Sequence, residues 1–411
     1  MNSQKHILQG YKNSPFGIIP MEWEVRRLGD LFSFKNGINA NKESYGEGIE
    51  FVNTMDVLNN IFLKTDVLRG KVNVSTKDQE EFRVSYGDVL FNRTSETREE
   101  VGYTSVYIDS KDSVFGGFVI RARDKFSNTL DVPYKGFVFQ PFYVRKQIAS
   151  LGNGAIRYNI GQEDLSRIKI LIPPIHEQQR IVSILSLWDT AIEKQSELIE
   201  KLTLRKRALM QQLLTGKKRL PGFSGERKRI KAGEIFLSSS VRSGGAEVLL
   251  SATQEHGVIP RDQLEGRVTM PTGDLASFKL VEKGDFVISL RSFQGGLEYS
   301  EYRGIVSPAY TVLKPRIEID KSFYRFYFKS SDFIGHLAIA VIGIRDGKQI
   351  SYNDFCFVKI PYPSIEEQKA ISAILIESDK EIELAKDKLS SLQSQKRGLM
   401  QQLLTGKKRV V

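Results

Sequence analysis

The sequence contains little of what secreted and membrane proteins need. Its one cysteine, Cys356, has no partner within the chain, so no internal disulfide can form. No stretch approaches the roughly 20 apolar residues that a membrane-spanning helix requires. The start of the chain, Met1 to His6, is polar and lacks the apolar segment of a signal peptide. The sequence therefore predicts a cytoplasmic protein, with Cys356 as a small buried side chain.

Motifs for catalysis and cofactor binding are also missing. The only adjacent prolines, Pro173-Pro174, lack the Asn or Asp before them and the aromatic residue after them that mark an adenine methyltransferase. No phosphate-binding Gly-x-x-x-x-Gly-Lys-Ser/Thr motif occurs, and Gly152-Asn153-Gly154 is followed by Arg157 where a dinucleotide fingerprint needs glycine. The histidines lack the spacing of metal ligands: His6, His176, His256 and His336. We therefore expect no catalytic residues, no metal and no cofactor bound by this chain.

One weak nuclease pattern is present. Asp88, followed by Asp109-Ser110-Lys111, fits the loose acidic arrangement with which some nucleases hold a divalent metal and activate water. Asp285, which follows a glycine in the second half as Asp88 does in the first, has no such partner triplet. So short a pattern occurs often by accident, and a self-contained nuclease is the less favoured interpretation.

The charge balance favours a polyanionic partner. The chain of 411 residues has 60 Lys and Arg against 49 Asp and Glu, a formal net charge of +11. Such an excess suits nucleic acid or an anionic membrane surface. A membrane role would need an apolar span or a basic amphipathic helix with a lipid-facing stripe, and the sequence shows neither. The length indicates two domains with connectors.

An internal repeat decides the predicted architecture. Leu209 to Arg219 recurs unchanged as Leu399 to Arg409, an offset of 190. The same offset, without a gap, extends back to Pro173 and Pro363. The matching pairs in between include Ile175/Ile365, Glu177/Glu367, Gln178/Gln368, Ile181/Ile371, Leu185/Leu375, Asp189/Asp379, Ile192/Ile382 and Lys206/Lys396. Agreement of this extent is not chance, so the chain is built from two copies of one plan.

Each copy of the repeat predicts a long helix with a coiled-coil seam, because its seam residues are spaced alternately by four and three. The seam of the first copy comprises Ile181, Leu185, Trp188, Ile192, Gln195, Ile199, Leu202, Lys206, Leu209 and Leu213. The seam of the second comprises Ile371, Leu375, Ser378, Ile382, Ala385, Leu389, Leu392, Lys396, Leu399 and Leu403. A lysine at the matching position of both seams costs stability but can fix the register.

The ends of both helices are marked. Prolines precede them, Ser364 and Glu367 form a capping-box pattern, and Gly216 and Gly406 stand where a helix terminus favours a left-handed residue. A helix of about 40 residues is about 60 Å long at 1.5 Å per residue. We expect the two helices to pack on each other as a spacer. The alternative is that each helix only covers its own domain.

The regions outside the helices are also alike, although more diverged. Their matching segments are Gly29–Phe32 with Gly233–Phe236, Gly87–Phe91 with Gly284–Ile288, and Val114–Phe118 with Val306–Tyr310. The offset falls from 204 through 197 to 192, so the second region is shorter through loop deletions. Short apolar runs separated by Gly, Asn, Asp and Ser predict strand-rich α+β domains.

These features together resemble the specificity subunits of type I restriction-modification enzymes. The most specific elements are the two Pro-x-x-x-Glu-Gln helix starts, within Ile170–Gln179 and Lys359–Gln368, and the duplicated Leu-Leu-Thr-Gly-Lys-Lys-Arg endings. The segment Ile19 to Trp23 also matches the usual start of a recognition domain in that family. Trp23 aligns with Arg227 in the second copy, which departs from that pattern. The resemblance covers essentially the whole chain.

The resemblance implies a fold and a set of partners. The fold is α+β, with two β-rich α/β target recognition domains separated by two long helices that form an antiparallel coiled coil with pseudo-twofold symmetry. Each domain would read one half of a bipartite site in double-stranded DNA, and the helices would dock two adenine methyltransferase subunits. The partner subunits, including motor-nuclease (restriction) subunits, would bind S-adenosylmethionine, ATP and Mg²⁺. The alternative is an architectural or decoy DNA-binding coiled-coil protein without enzyme partners.

The predicted boundaries follow from the repeat. They are an N-terminal tail over 1–19, recognition domain 1 over 20–171, the central spacer helix over 172–216, a linker over 217–232, recognition domain 2 over 233–360, the second spacer helix over 361–406 and a tail over 407–411.

Candidates for reading DNA are polar and basic residues in equivalent loops of the two domains, because base edges are read by such side chains. Those that follow the Gly-Asp strands are Asn92, Arg93, Thr94, Ser95 and Arg98 in the first domain and Arg291, Ser292 and Gln294 in the second. Those that precede the helices are Arg157 and Tyr158 in the first domain and Arg345 and Lys348 in the second. The alternative is that these are solvated loops with ordinary turn chemistry.

Overall fold

The computed structural model describes residues 9–154, 156–242, 247–264, 275–290, 292–340 and 350–410. The chain divides into two compact units. Unit 1 comprises Met1–Lys194 and Leu389–Val411, and unit 2 comprises Gln195–Lys388. Within the described ranges no helix has the length and apolarity needed to cross a membrane.

The described residues of unit 1 form fifteen short strands and six short α-helices ahead of the first long helix. The strands are β1 (Tyr11–Ser14), β2 (Gly17–Pro20), β3 (Glu24–Arg27), β4 (Phe32–Asn36), β5 (Tyr45–Val52), β6 (Phe62–Leu63), β7 (Gly70–Val72), β8 (Arg83–Val84), β9 (Val89–Asn92), β10 (Thr94–Ser95), β11 (Thr104–Tyr107), β12 (Ser113–Phe115), β13 (Val119–Asp124), β14 (Tyr158–Asn159) and β15 (Lys169–Ile172). The helices are α1 (Leu28–Leu31), α2 (Thr54–Asn59), α3 (Thr76–Glu81), α4 (Val132–Val138), α5 (Phe142–Leu151), α6 (Gln162–Arg167) and the long α7 (Ile175–Thr215).

A five-stranded sheet with the order β4-β13-β9-β11-β6 forms the centre of unit 1. All four residues of β9 are buried, which explains why this strand reads as a continuous apolar run rather than an alternating one. A second sheet, β7-β5-β12-β8, packs beside it through residues such as Phe115 and Val52. Strands β3 and β15 pair antiparallel at the two ends of the domain and lead the chain into α7.

Unit 2 repeats this plan with fewer residues. Its strands are β16 (Arg229–Lys231), β17 (Phe236–Ser239), β18 (Leu250–Thr253), β19 (Gly257–Pro260), β20 (Lys279–Val281), β21 (Phe286–Ile288), β22 (Glu298–Tyr299), β23 (Gly304–Val306), β24 (Thr311–Pro315) and β25 (Lys359–Pro361). Its helices are α8 (Ala232–Ile235), α9 (Ser292–Gly295), α10 (Lys321–Tyr327), α11 (Ser331–Ala340), α12 (Tyr352–Phe357) and the second long helix, α13 (Ile365–Leu403). The sheet order β17-β24-β21-β22 corresponds to β4-β13-β9-β11 of unit 1, and β16 pairs with β25 as β3 pairs with β15.

The repeated Gly-Asp motif is a turn that fixes the start of the central strand. Gly87 and Gly284 have φ of +88° and +91°, a conformation that glycine adopts readily. The following aspartate accepts a backbone hydrogen bond from three residues earlier, at 2.9 Å in both units. Asp88 also pairs with Arg123, and Asp285 with Lys314, each at the end of the adjacent strand. The motif therefore serves the fold in both copies.

The two long helices run antiparallel within each unit. In unit 1 the ammonium group of Lys396 on α13 donates to Asp189 on α7. In unit 2 the Nε2 atom of Gln195 donates to the carbonyl oxygen of Ala385 at 2.9 Å, and Lys206 donates to Asp379. Both lysines also lie over a phenyl ring, with Nζ 5.6 Å and 5.2 Å from the ring centre. Every residue of the two predicted seams is buried or half-buried.

Glu177 and Gln178 in the first turn of α7 connect that helix to the rest of unit 1. The buried Glu177 carboxylate accepts from the Trp23 indole Nε1 at 2.9 Å and from the Arg409 guanidinium at 2.9 and 3.2 Å. The Gln178 side chain accepts from the backbone of Asp131, next to α4, and donates to the carbonyl oxygen of Thr129.

Glu367 and Gln368 in α13 make the equivalent contacts in unit 2. Arg219 binds Glu367 through two hydrogen bonds of 2.7 and 2.9 Å, and Arg227 adds one of 2.6 Å. Gln368 accepts from the backbone of Asp320, next to α10. Trp23 and Arg227 align in the two copies although they differ in type. Each donates to the glutamate at the same position of its repeat, Trp23 to Glu177 and Arg227 to Glu367.

The structure adds detail to several local expectations. The segment expected to be a tail over 1–19 contains the β1–β2 hairpin, because the buried Ile19 side chain anchors it. The segment expected to be a tail over 407–411 contains Arg409, which binds Glu177. Ser364 does cap α13 through the Glu367 N–H, but the Glu367 carboxylate binds arginines instead of completing a capping box. Cys356 is half-buried rather than buried.

The helix ends fit the sequence. Gly216 and Gly406 have φ of +81° and +70°. In both, the N–H two residues later donates back into the last turn, from Lys218 to Gln212 and from Lys408 to Gln402. This is the hydrogen bond that a left-handed glycine allows at a helix terminus.

The lysine within each seam should contribute to stability. Replacing Lys396 by Ala leaves Asp189 without its partner and removes the contact with the Phe137 ring. Because Lys396 is mostly buried but Asp189 is half-exposed, we expect a loss of about 1 kcal/mol, or about 2–4 °C in melting temperature. Lys201→Ala is the control, because Lys201 is exposed and its Nζ lies 4.0 Å from the Glu197 Oε2, as in an ordinary surface ion pair. Equal melting temperatures for the two variants would contradict this role.

The Glu177 cluster should make unit 1 sensitive to acid. Burial raises the pKa of Glu177, but hydrogen bonds from Arg409 and Trp23 outweigh burial and hold the pKa below its usual value. This contribution to stability is therefore complete above the unfolded pKa of about 4.3 and is lost as the pH falls through the folded value. We expect Arg409→Ala to cost about 3 kcal/mol at pH 7 and less below pH of about 4.

The measurement is the melting temperature of both proteins between pH 3 and 8. Lys408→Ala, which changes the exposed neighbour, is the control and should follow the wild type. A gap between wild type and Arg409→Ala that stays constant over this range would exclude Glu177 as the titrating group.

Candidate nucleic-acid interface

Two of the predicted segments of unit 1 meet in the structure. Strand β10 pairs antiparallel with β14, which places Thr94 opposite Asn159 and Ser95 opposite Tyr158. The Thr94 hydroxyl donates to the Asn159 side-chain oxygen at 2.6 Å. Loop residues after the central strand and the basic segment before α7 therefore form one surface.

Three arginines surround this surface. Arg98 and Arg157 are exposed, and the Arg98 guanidinium lies 5.1 Å from the centre of the Tyr158 ring. Arg93 is half-buried, and its Nη1 donates to the carbonyl oxygen of Gly117 at 3.2 Å. The remaining N–H groups of a guanidinium suit phosphate or base acceptors. The surface thus offers positive charge in a fixed position together with exposed hydroxyl and amide groups.

Two candidates of unit 1 have buried side chains with partners inside the domain. Asn92 is fully buried, and its side chain accepts from the Thr94 N–H and donates to the carbonyl oxygen of Glu100. Ser95 is also buried, and its hydroxyl donates to Glu100. Both hold the loop in shape. Asn92 is buried because β9 runs one residue further than the apolar pattern suggests, and Ser95 lies in β10. The Asn92 side chain therefore has no exposed group to offer DNA, whereas Ser95 borders the cleft beside this surface.

The candidates of unit 2 are described only in part. Gln294 is exposed on α9, whereas Ser292 is buried and its hydroxyl accepts from the Ser289 N–H at 2.8 Å. Ser292 therefore stabilises the start of α9 through its buried hydroxyl. Arg291, Arg345 and Lys348 lie outside the described residues.

Sequence analysis missed two side chains beside the arginines. Phe118, directly before β13, is 62% exposed, and Met55 at the start of α2 is 59% exposed. The Phe118 carbonyl oxygen accepts from the Arg93 N–H at 2.9 Å, which ties the two loops together. A sequence signal existed, since Gly116-Gly117 before an aromatic residue indicates a turn at the end of a strand.

The acidic residues of the weak nuclease pattern are engaged elsewhere. Arg123 donates to both oxygens of Asp88, at 2.9 and 2.6 Å. The Thr65 hydroxyl and N–H both donate to Asp109, which holds the pKa of Asp109 well below its usual range. Over the part of the chain that the structure describes, no group of three His, Cys, Asp or Glu side chains is placed to hold a metal ion.

Comparison with known families gives two matches within this chain. Residues 20–204 and residues 230–394 each match the model of the type I restriction modification DNA specificity domain. The chain belongs to this family. The resemblance found in the sequence is therefore confirmed, including its duplication.

Relatives of the specificity family match over nearly the full length. The putative type I restriction enzyme MjaX specificity subunit of Methanocaldococcus jannaschii is 26% identical, over 98% of this chain and 97% of the relative. The MjaVIII specificity subunit of the same organism is also 26% identical, over 98% of both chains.

Solved structures of specificity subunits share the fold. The HsdS subunit from Thermoanaerobacter tengcongensis has a TM-score of 0.54 with 16% identity, over 96% of this chain and 99% of that one. A chain from a study of type I system assembly and conformational transition has a TM-score of 0.62 with 16% identity. The match covers 94% of this chain and 99% of that one. The predicted fold class, with two target recognition domains and two long helices, is confirmed.

The structural role of Asn92 can be tested by stability. Asn92→Ala removes both hydrogen bonds of a buried amide, so we expect a loss of about 1–3 kcal/mol in the free energy of unfolding. Thr97→Ala, in the exposed part of the same loop, should change it by less than about 0.5 kcal/mol. Thermal melting followed by circular dichroism gives the comparison. If Asn92→Ala melts as the wild type does, Asn92 is not a structural residue.

Proposed function

We propose that this chain is the DNA-reading specificity subunit of a type I restriction-modification complex, in which each recognition domain reads one half of a bipartite target. The observation that carries the proposal is the duplicate match to a DNA specificity domain, one copy in each unit. Two domains of one family with different loops suit a target with two different halves. The formal charge of +11 suits a DNA partner.

The surface formed by β10, β14 and the loop before β13 is the proposed reading face of domain 1. Arg98 and Arg157 are exposed for phosphate or base contacts, and Arg93 is fixed between the two loops. Phosphate contacts position a protein on the duplex, and base contacts give it sequence preference. Gln294, together with Arg291, Arg345 and Lys348, is proposed for the equivalent face of domain 2.

We propose further that the long helices dock two identical methyltransferase subunits. Exposed residues that are identical in both helix copies support this, because neither core packing nor the seam requires their identity. They are Glu193/Glu383, Arg207/Arg397, Gln211/Gln401, Gln212/Gln402, Lys217/Lys407 and Lys218/Lys408. Exposed apolar residues are not repeated, since Leu187, Leu204 and Leu384 correspond to Glu377, Ser394 and Lys194. The repeated basic and amide groups suit a partner with an acidic, polar face.

Cofactors belong to the partner subunits in this proposal. S-adenosylmethionine would be bound by the methyltransferase subunits, and ATP and Mg²⁺ by the motor-nuclease subunits, because this sequence has none of the motifs that hold them. The chain supplies DNA recognition and a platform for these partners.

The experiment is a map of adenine methylation in the host with and without this chain. Loss of one bipartite methylated motif on deletion, with its return on complementation, supports the proposal. An unchanged map, together with purification of the chain without stoichiometric methyltransferase, would favour an architectural or decoy DNA-binding protein instead.

The internal repeat predicts the symmetry of the target. Replacing residues Phe236 to Phe355 by Phe32 to Leu165 gives a chain with two copies of domain 1 and both long helices intact. Because the helices run antiparallel, we expect an interrupted palindrome of the first half-site with a nearly unchanged spacer. Methylation mapping with the partner subunits reads this out directly. A target that stays asymmetric, or a direct repeat, would refute the inverted arrangement.

The repeated helix surface predicts the stoichiometry of the complex. Arg207→Glu should remove one of two methyltransferase subunits, and the double variant Arg207→Glu/Arg397→Glu should remove both. Reversed charge against an acidic face costs several kcal/mol, so we expect affinity to fall at least tenfold at each changed surface. The double variant Leu204→Ser/Leu384→Ser is the control, because these exposed residues are not repeated. Mass measurement of the purified complex decides, and two bound subunits in the double arginine variant would exclude this surface.

A further inference from the structure

Domain 1 has an open cleft at the proposed reading face. Its volume is about 430 Å³. Three segments line it: Thr54-Met55 after β5, Thr94 to Glu96 after β9, and Phe118 before β13. Arg157 also lines it. Its walls thus combine an apolar part with polar groups, one arginine and the two carboxylates of Glu96 and Glu100.

Domain 2 has an open cleft of about 640 Å³ with the same three walls. They are Thr253-Gln254 at the end of β18, Ser289-Leu290 after β21, and Tyr310 before β24. Strand β21 corresponds to β9, and β24 to β13. A cleft that recurs at the same place in two diverged domains is a property of the shared plan rather than an accident of one loop.

The first wall is equivalent by its pairing. Strand β5 runs parallel to β12, with Phe51 beside Val114. Leu249, the residue before β18, forms a parallel bridge with Ile305 of β23. Phe118 and Tyr310 are equivalent by the sequence offset of 192 that also relates Val114 to Val306. Each domain therefore places one aromatic side chain at the same position of its cleft, and the two differ by a hydroxyl group.

Exposure of the apolar phenyl ring of Phe118 to water costs free energy, and the ring has no polar group that could form a hydrogen bond. It is 62% exposed, beside Met55, although the backbone around it is fixed by the hydrogen bond from Arg93. Phe118 and Met55 form a small exposed apolar group in the cleft, whose lining also includes Arg157, Glu96 and Glu100. Among the groups that base pairs present in the major groove, the apolar one is the 5-methyl group of thymine.

We propose that Phe118 is a specificity-determining residue that reads a thymine of the first half-site through its 5-methyl group, with Tyr310 at the equivalent position for the second half-site. This inference rests on the proposed function. The hydroxyl group of Tyr310 lets that position use a hydrogen bond, so the two half-sites differ there.

The first test is methylation mapping of the full chain with its partner subunits. Phe118→Ala should make one A·T position of one half-site degenerate and leave the other half-site as it is. Tyr310→Phe should change the preference in the other half-site only. Phe126→Ala is the matched control, since Phe126 is 61% exposed but lies beyond the opposite end of β13, and it should keep the wild-type motif.

The second test uses duplexes in which each thymine of the first half-site is replaced in turn by deoxyuridine, which lacks the methyl group. At one position we expect the wild-type complex to bind about fourfold more weakly, the ratio for one buried methyl-sized group. The Phe118→Ala complex should bind the thymine and deoxyuridine duplexes equally.

The outcomes separate this inference from the proposed function. A wild-type chain that directs no bipartite methylation would refute the proposed function itself. A wild-type motif that Phe118→Ala leaves unchanged, or loses at a G·C position, would overturn only the role of Phe118. Phe118→Tyr is a second variant in case the alanine variant is unstable, and deoxyuridine discrimination retained with an unchanged motif would support the methyl contact.

Discussion

The buried glutamate in the first turn of each long helix is the contact on which both units depend. Glu177 and Glu367 are desolvated, so each needs charged or strong donors. Each receives them from an arginine in the segment that follows the other long helix. The adjacent glutamine binds the backbone next to a domain helix. One dipeptide therefore joins a recognition domain, a helix start and a helix end, which explains why it survives in both copies while the loops diverge.

Much of the fold was predictable because it depends on local patterns repeated twice. The four-and-three spacing placed the seam, and every seam residue is buried or half-buried. Gly216 and Gly406 marked the helix ends because a left-handed residue there is a local requirement. A strand does follow Gly87 and Gly284, since a turn followed by an apolar run is also a local signal.

The reading face was harder to predict because it is assembled from distant parts of the chain. Thr94 and Asn159 are 65 residues apart in sequence and meet only through a strand pair. The sequence places Asn92 in a loop, but β9 extends by one residue to include Asn92, which is buried in the core. Trp23 and Arg227 share no residue class, and their common role is visible only from the carboxylate that both contact.

The division of the chain into units has a consequence for its synthesis. Unit 2 is one continuous stretch, Gln195–Lys388, whereas unit 1 needs Leu389–Val411 in addition to its first 194 residues. At about 5–20 residues per second, a ribosome makes the intervening stretch in roughly 10–40 s. During that interval unit 1 lacks the second helix of its coiled coil, and Glu177 lacks its partner Arg409. The domain that is translated first is thus completed last, and the apolar seam of its part of α7 has no partner helix until then.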